Sequence, residues 1–105
     1  MAKHTLMVFT DAVEGRDEEY NRWYNETHLK DVLAVEGFVS AQRFRVAGVT
    51  EAAPFGYLAI YELDTDEPGV AMKALGDAIN AGMVISAAMT GPSVWACAPL
   101  TEKLT

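Results

Sequence analysis

His28 is the side chain of this sequence best suited to chemistry. It stands in the run Tyr20 to Phe38, YNRWYNETHLKDVLAVEGF, with Tyr20, Trp23 and Tyr24 four to eight residues upstream. An imidazole changes charge near neutral pH, so it can take or give a proton there. Aromatic faces beside it offer the apolar wall of a small-molecule site. The plainer alternative is a helix-capping or core histidine hydrogen-bonded to backbone. Asp31, three residues on, could orient the ring or stand as a solvated surface carboxylate.

Two tyrosines are candidates to act with it. A buried phenol needs a partner and can donate to a carbonyl or enolate oxygen, which singles out Tyr24 and Tyr61 as catalytic partners of His28. Tyr20, Trp23, Tyr57 and Trp95 are candidate lining for an aromatic ligand. Aromatic stripes are also ordinary core, and Trp23 could serve as an anchor under its helix. Arg43 and Arg45 share one strand parity, so one face of that strand carries two cations. These suit a carboxylate-bearing ligand, or ion pairs across a subunit interface.

Other chemistries find little support. The two histidines are far apart and show no metal-ligand spacing, so no metal is expected. The eight glycines fall singly at turns, without a phosphate- or dinucleotide-binding pattern. Catalysis, if any, is expected from side chains alone with no cofactor. Cys97 is the single cysteine, which excludes an internal disulfide, and it reads as a small buried filler.

The elements that must position these residues follow from periodicity. His4 to Thr10 is a β-rich run ending at Asp11, and Asp17-Glu18-Glu19 supplies the negative charge that a helix N-terminus favours. The spacing predicts a helix from about Asp17 to Glu26, an irregular turn through Asp31 to Val35, and a stop at Gly37. Phe38 to Val46 and Gly56 to Leu63 read as an antiparallel pair joined by a loop over Gly48 to Pro54. In the second of these strands Tyr57, Ala59 and Tyr61 share one face, and Leu58, Ile60 and Glu62 the other.

After the cap-and-proline run Asp64 to Pro68, helical spacing appears at Val70, Ala74, Leu75, Ala78 and Ile79, with Gly82 as terminator. Met83 to Thr90 is expected as a loose link, Gly91-Pro92 as a break, and Ser93 to Pro99 as the last strand. The order βαββαβ is the split arrangement of ferredoxin-like α+β domains, with two helices on one face of a four-stranded antiparallel sheet. Apolar residues occupy both parities of the strands, so the second face is too greasy for water. Pairing with a second copy in a homodimer would bury it.

Composition agrees with one domain over residues 1–105. A chain of 105 residues buries roughly 65% of its unfolded surface, a modest core. Half the residues are hydrophobic, which argues against disorder. Mean hydropathy is only +0.06, and no apolar run reaches the roughly 20 residues of a membrane span, so no membrane association is expected. The net charge of −7 and pI of 4.6, with scattered basic residues, argue against nucleic acid. MAKHTLMVF lacks a secretory leader pattern, so cytoplasmic residence is the default.

The run EEYNRWYNETHLKDVLAVEGFVSAQRFRV resembles the first-helix and second-strand signature of the dimeric α+β barrel superfamily, in particular its EthD-like group. That run is about a quarter of the chain. The group often carries a proline two residues after the histidine, where this chain has Lys30. His4 sits at a first-strand position similar to one held by a histidine in plant polyketide cyclases of the superfamily, which makes it a candidate substrate contact. The resemblance implies a homodimer with a ligand cavity between sheet and helices or at the barrel mouth. The scaffold carries cofactor-independent cyclases, isomerases and lyases, monooxygenases and heme-degrading enzymes, so fold does not set chemistry.

The leading expectation is a cofactor-independent lyase, isomerase or cyclase acting on a small hydrophobic, aromatic or carbonyl-containing compound. The alternatives are a non-catalytic small-molecule-binding barrel and a cofactor-free monooxygenase of a phenol or quinol.

Overall fold

The computed structural model describes residues 4–105; Met1 to Lys3, the start of the segment read above for a leader, lie outside the described residues. Four strands alternate with helical segments in the expected order. They are β1 (His4–Ala12), β2 (Phe38–Arg45), β3 (Tyr57–Leu63) and β4 (Met89–Cys97), arranged β2-β3-β1-β4 with every neighbour antiparallel. The helices are α1 (Asp17–Trp23), α2 (Leu29–Leu33) and α3 (Pro68–Asn80), and a π-helical turn, Tyr24–His28, joins α1 to α2 without a break.

That continuity corrects the expected helix end at Glu26 and the expected irregular turn at Asp31 to Val35. The helical path runs on to Leu33, and Gly37, at φ 96°, turns the chain into β2. Asp17, Glu18 and Glu19 occupy the first turn of α1, where the free backbone N–H groups favour negative charge. Thr65 Oγ1 accepts from Glu67 N at 3.0 Å, and Pro68 takes the first position of α3, where its missing N–H costs nothing.

Strand alternation sorts side chains between two environments. Leu6 and Thr10 of β1, and Tyr57, Ala59, Tyr61 and Leu63 of β3, are buried beneath the helices. Met7, Phe9, Leu58 and Ile60 point the other way, onto a face that no helix among the described residues covers. There Trp95 of β4 is 63% exposed and Phe44 of β2 is 40% exposed.

Three further expectations are corrected. β4 begins at Met89 and runs through Gly91-Pro92, because Gly91, at φ 99°, lets the strand pass the irregular register opposite Phe9 and Asp11 instead of breaking it. Cys97 is exposed on the open face with its Sγ 3.7 Å from Met7 Sδ, and is no core filler. In α3 the inward residues are Ala71, Met72 and Leu75, while Val70 is exposed.

Under the helices, the Tyr20 hydroxyl and Thr10 Oγ1 hydrogen-bond to each other in a setting from which water is excluded. Removing one partner of such a pair strands the other without solvent. Tyr20→Phe should cost about 1–3 kcal/mol of stability in urea denaturation, and adding Thr10→Val should recover part of that loss.

Candidate functional site

The four buried residues of the first helical path, Tyr20, Tyr24, His28 and Val32, recur every fourth position. An ideal α-helix turns by about 40° more than one revolution in four residues, so this row would drift off the sheet. The π turn at Tyr24–His28 winds more slowly and holds Tyr24 and His28 on the inward side. This one-residue adjustment brings an imidazole and a phenol to the same hollow.

That hollow is a cavity of about 390 Å³ between sheet and helices. Tyr24, His28 and Tyr61 line it, together with apolar residues from every layer, among them Leu6, Met72 and Val94. Tyr24 Oη and Tyr61 Oη are 3.2 Å apart and share a hydrogen bond. His28 stacks on Trp23 at 4.5 Å between ring centroids and meets the Tyr24 ring edge-on at 4.8 Å. Its Nδ1 is buried and has no hydrogen-bond partner among the described residues.

Burial acts oppositely on the two kinds of group. It pushes the His28 imidazole down to about 4, since the cation loses its water, with a smaller opposing effect from the Asp31 carboxylate. It pushes the Tyr24 and Tyr61 phenols above their usual range. All three are therefore neutral at physiological pH: two hydroxyl donors and an imidazole with one donor and one acceptor nitrogen.

The other candidates fall elsewhere. Tyr20 is buried behind Tyr24 and spends its hydroxyl on Thr10. Trp23 serves as the face under His28, with Nε1 donating to the Val84 carbonyl oxygen at 3.2 Å. Arg43 lies 4.4 Å over the Tyr24 ring, outside the cavity lining, and its Nη1 donates to Asn25 Oδ1 at 2.7 Å. Tyr57 donates to Asp17 Oδ2 at 2.9 Å and, with Arg43, Arg45, Asn21 and Asn25, lines a separate open groove of about 430 Å³.

The last two proposed contacts, like the four above, lie outside the cavity lining. Trp95 has the wrong strand parity and stands on the open face, its Nε1 donating to Ser93 Oγ. His4 begins β1 and hydrogen-bonds through Nδ1 to the Thr65 carbonyl oxygen at 2.9 Å, outside the lining. Conversely, sequence reasoning overlooked Thr10 and the methionines Met72 and Met89, all cavity residues. The signal for Thr10 was its shared parity with Leu6 and Val8; Met89 had been assigned to a loose link.

No protein-family profile matches the sequence, and no curated protein matches it. Solved structures match over nearly the whole chain. They include the heme-degrading protein MhuD of Mycobacterium tuberculosis, solved with two hemes in its active site (18% identity, TM-score 0.65, 95% of this chain and 98% of that one). A dimeric ferredoxin-like protein from an uncultured marine organism matches at 17% identity and TM-score 0.65, over 98% and 100% of the two chains. An EthD family protein of Bacillus halodurans matches at 17% identity and TM-score 0.58, over 89% and 96%. The chain has the ferredoxin-like fold of the dimeric α+β barrels, EthD-like proteins among them.

The lowered basicity of His28 has a direct consequence for stability. Above about pH 6.5 both folded and unfolded chains hold the ring neutral, so the cost of burying it as a cation is never met. As pH falls toward 4 the unfolded chain binds a proton that the folded chain refuses, and stability drops by up to about 3 kcal/mol. Denaturation midpoints measured between pH 7 and pH 4 should fall more steeply in the wild type than in His28→Leu, which has no proton to bind.

Proposed function

We propose that the cavity is the active site of a cofactor-independent enzyme of the lyase, isomerase or cyclase kind. Its substrate would be a small apolar carbonyl or phenolic compound, converted by proton transfer. The observation that carries this reading is a neutral imidazole, its buried Nδ1 without a hydrogen-bond partner among the described residues, beside a phenol pair in one apolar hollow. His28 would accept a proton from an acidic C–H or O–H of the substrate. The electron pair left behind moves onto the carbonyl or phenolic oxygen, where Tyr24 and Tyr61 donate to it. Return of the proton from His28 to another atom completes an isomerisation or a ring closure.

An imidazole with so low a basicity accepts the proton only as the anion forms beside it, because that charge raises His28 in turn. The same low basicity favours a second reading, a binding barrel in which His28 hydrogen-bonds a ligand and no bond changes. A cofactor-free oxidation of a phenol or quinol would use the same groups, and dependence on dissolved oxygen distinguishes it. Heme degradation, the activity named for MhuD, fits these residues poorly, since the cavity lining has no lysine or arginine to meet heme propionates. Absence of a Soret shift on adding heme is expected.

Screening phenols and β-keto compounds for turnover, then repeating with variants, tests the enzyme reading. His28→Ala and Tyr24→Phe should each lower kcat/KM by ~100-fold or more. Retention of activity within a few-fold would remove these residues from the mechanism, and binding without product would favour the binding barrel.

The open sheet face supports a homodimer as the working unit. Trp95, Phe44, Met7 and Ile60 form an apolar surface of the kind that soluble monomers rarely leave uncovered, and one structural neighbour is described as dimeric. Trp95→Asp should move the protein to monomer mass in light scattering while the far-ultraviolet circular dichroism spectrum is kept.

A further inference from the structure

Among the described residues Arg43 has no ion-pair partner. Its guanidinium carbon lies 4.4, 5.2 and 5.4 Å from the ring centroids of Tyr24, Tyr20 and Tyr57, so three phenol rings form a cage around it. Nε and Nη2 are buried with no hydrogen-bond partner among the described residues, and Nη1 bonds only the neutral Asn25 amide. The ion pairs among the described residues lie elsewhere, at Arg16, Arg22 and Lys73. Asp17 reaches the cage only through the Tyr57 hydroxyl. In a chain of net charge −7, a half-buried guanidinium whose Nε and Nη2 are buried among phenol rings and not against a carboxylate is a specific arrangement.

The cavity that Tyr24 lines has a surplus of donors. Tyr24 and Tyr61 bring two hydroxyl protons, and the bond between their oxygens uses one. The remaining proton has no acceptor among the described residues. A cation over the face of a phenol stabilises negative charge at its oxygen, and so makes that hydroxyl a stronger donor. A strong spare donor, backed by positive charge and walled by apolar side chains, is matched best by an anionic oxygen.

We propose that Arg43 is a positioning residue that makes the cavity favour its ligand as an oxyanion: the anion of an acidic phenol or enol, whether solvent or His28 has taken its proton, is held through Tyr24 and Tyr61. The inference rests on the reading of the cavity as the active site and narrows its substrate class. The titratable and charged groups around the bound oxygen are His28, Tyr24 and Tyr61 at the cavity, with Arg43, Tyr20 and Tyr57 outside the lining and Asp31 on the helix of His28. The lining itself holds no carboxylate to repel an anion.

The test uses para-nitrophenol, whose ionisation is read by absorbance when free and when bound. On the wild type the bound probe should ionise at lower pH than the free probe, because the anion binds more tightly. Arg43→Met keeps the apolar stem and removes the charge, and should weaken binding of the anion about tenfold or more with little change for neutral phenol. Arg43→Lys should restore part of the preference, which a merely structural role would not do.

Tighter binding of the neutral probe to the wild type, or an unchanged preference in Arg43→Met, overturns the proposal while leaving the cavity a phenol site. Failure of either form to bind the wild type overturns the proposal together with the reading on which it rests.

Discussion

Side chains four residues apart on an α-helix drift by about 40° at each step, so a row of four ends about 120° from where it began. The first helical path of this protein nevertheless keeps Tyr20, Tyr24, His28 and Val32 against one sheet. It does so by inserting a slower π turn between the second and third members. The rest of the site depends on that adjustment. Without it His28 would rotate off the Trp23 face and away from the hollow that Tyr24 and Tyr61 line.

Burial then sets the electrical character of the site. The same loss of water lowers the imidazole and raises the phenols, so each group next to the cavity is held in its neutral form. Charge enters from outside the lining, through the Asp31 carboxylate on the helix of His28 and through Arg43 over the Tyr24 ring. Neutral donors in the lining and fixed charges outside it form a field already oriented before any ligand arrives. In an apolar surround such a field acts at longer reach than it would in water.

Much of this was legible in the sequence because strands and helices report their own geometry. The two-residue alternation of Tyr57, Ala59 and Tyr61 placed them on one face, and the structure keeps them there under the helices. The βαββαβ order followed from turn residues and periodicity, and the solved neighbours share that fold. The extent of the first helix was hidden because a π turn has no composition of its own. It is dictated by tertiary packing of the aromatics, which a reading at α-helical period takes for the end of the helix. Trp95 and Cys97 were misplaced for a different reason: an apolar residue on a strand signals burial by something, but not whether helix or partner does the burying. Gly91-Pro92 looked like a break because its local signals describe a turn. Here they serve a register irregularity within a strand.

The solved neighbours retain the fold at 12–18% identity, so what folding requires of such a chain is alternation on the strands and an apolar underside on the helices. Tyr24 and Tyr61 satisfy that requirement no better than phenylalanines would. Their hydroxyls must be paired when buried, and such a pair adds little net stability over two apolar rings of the same shape. The same holds for His28, whose buried Nδ1 has no partner among the described residues, and for Arg43, caged by phenols and not by a carboxylate among them. Three polar groups, each unnecessary or costly for packing, converge on a fourth, the Tyr24 phenol. Folding alone gives no reason for that convergence, whereas a ligand with an oxygen to be held and a proton to be moved does.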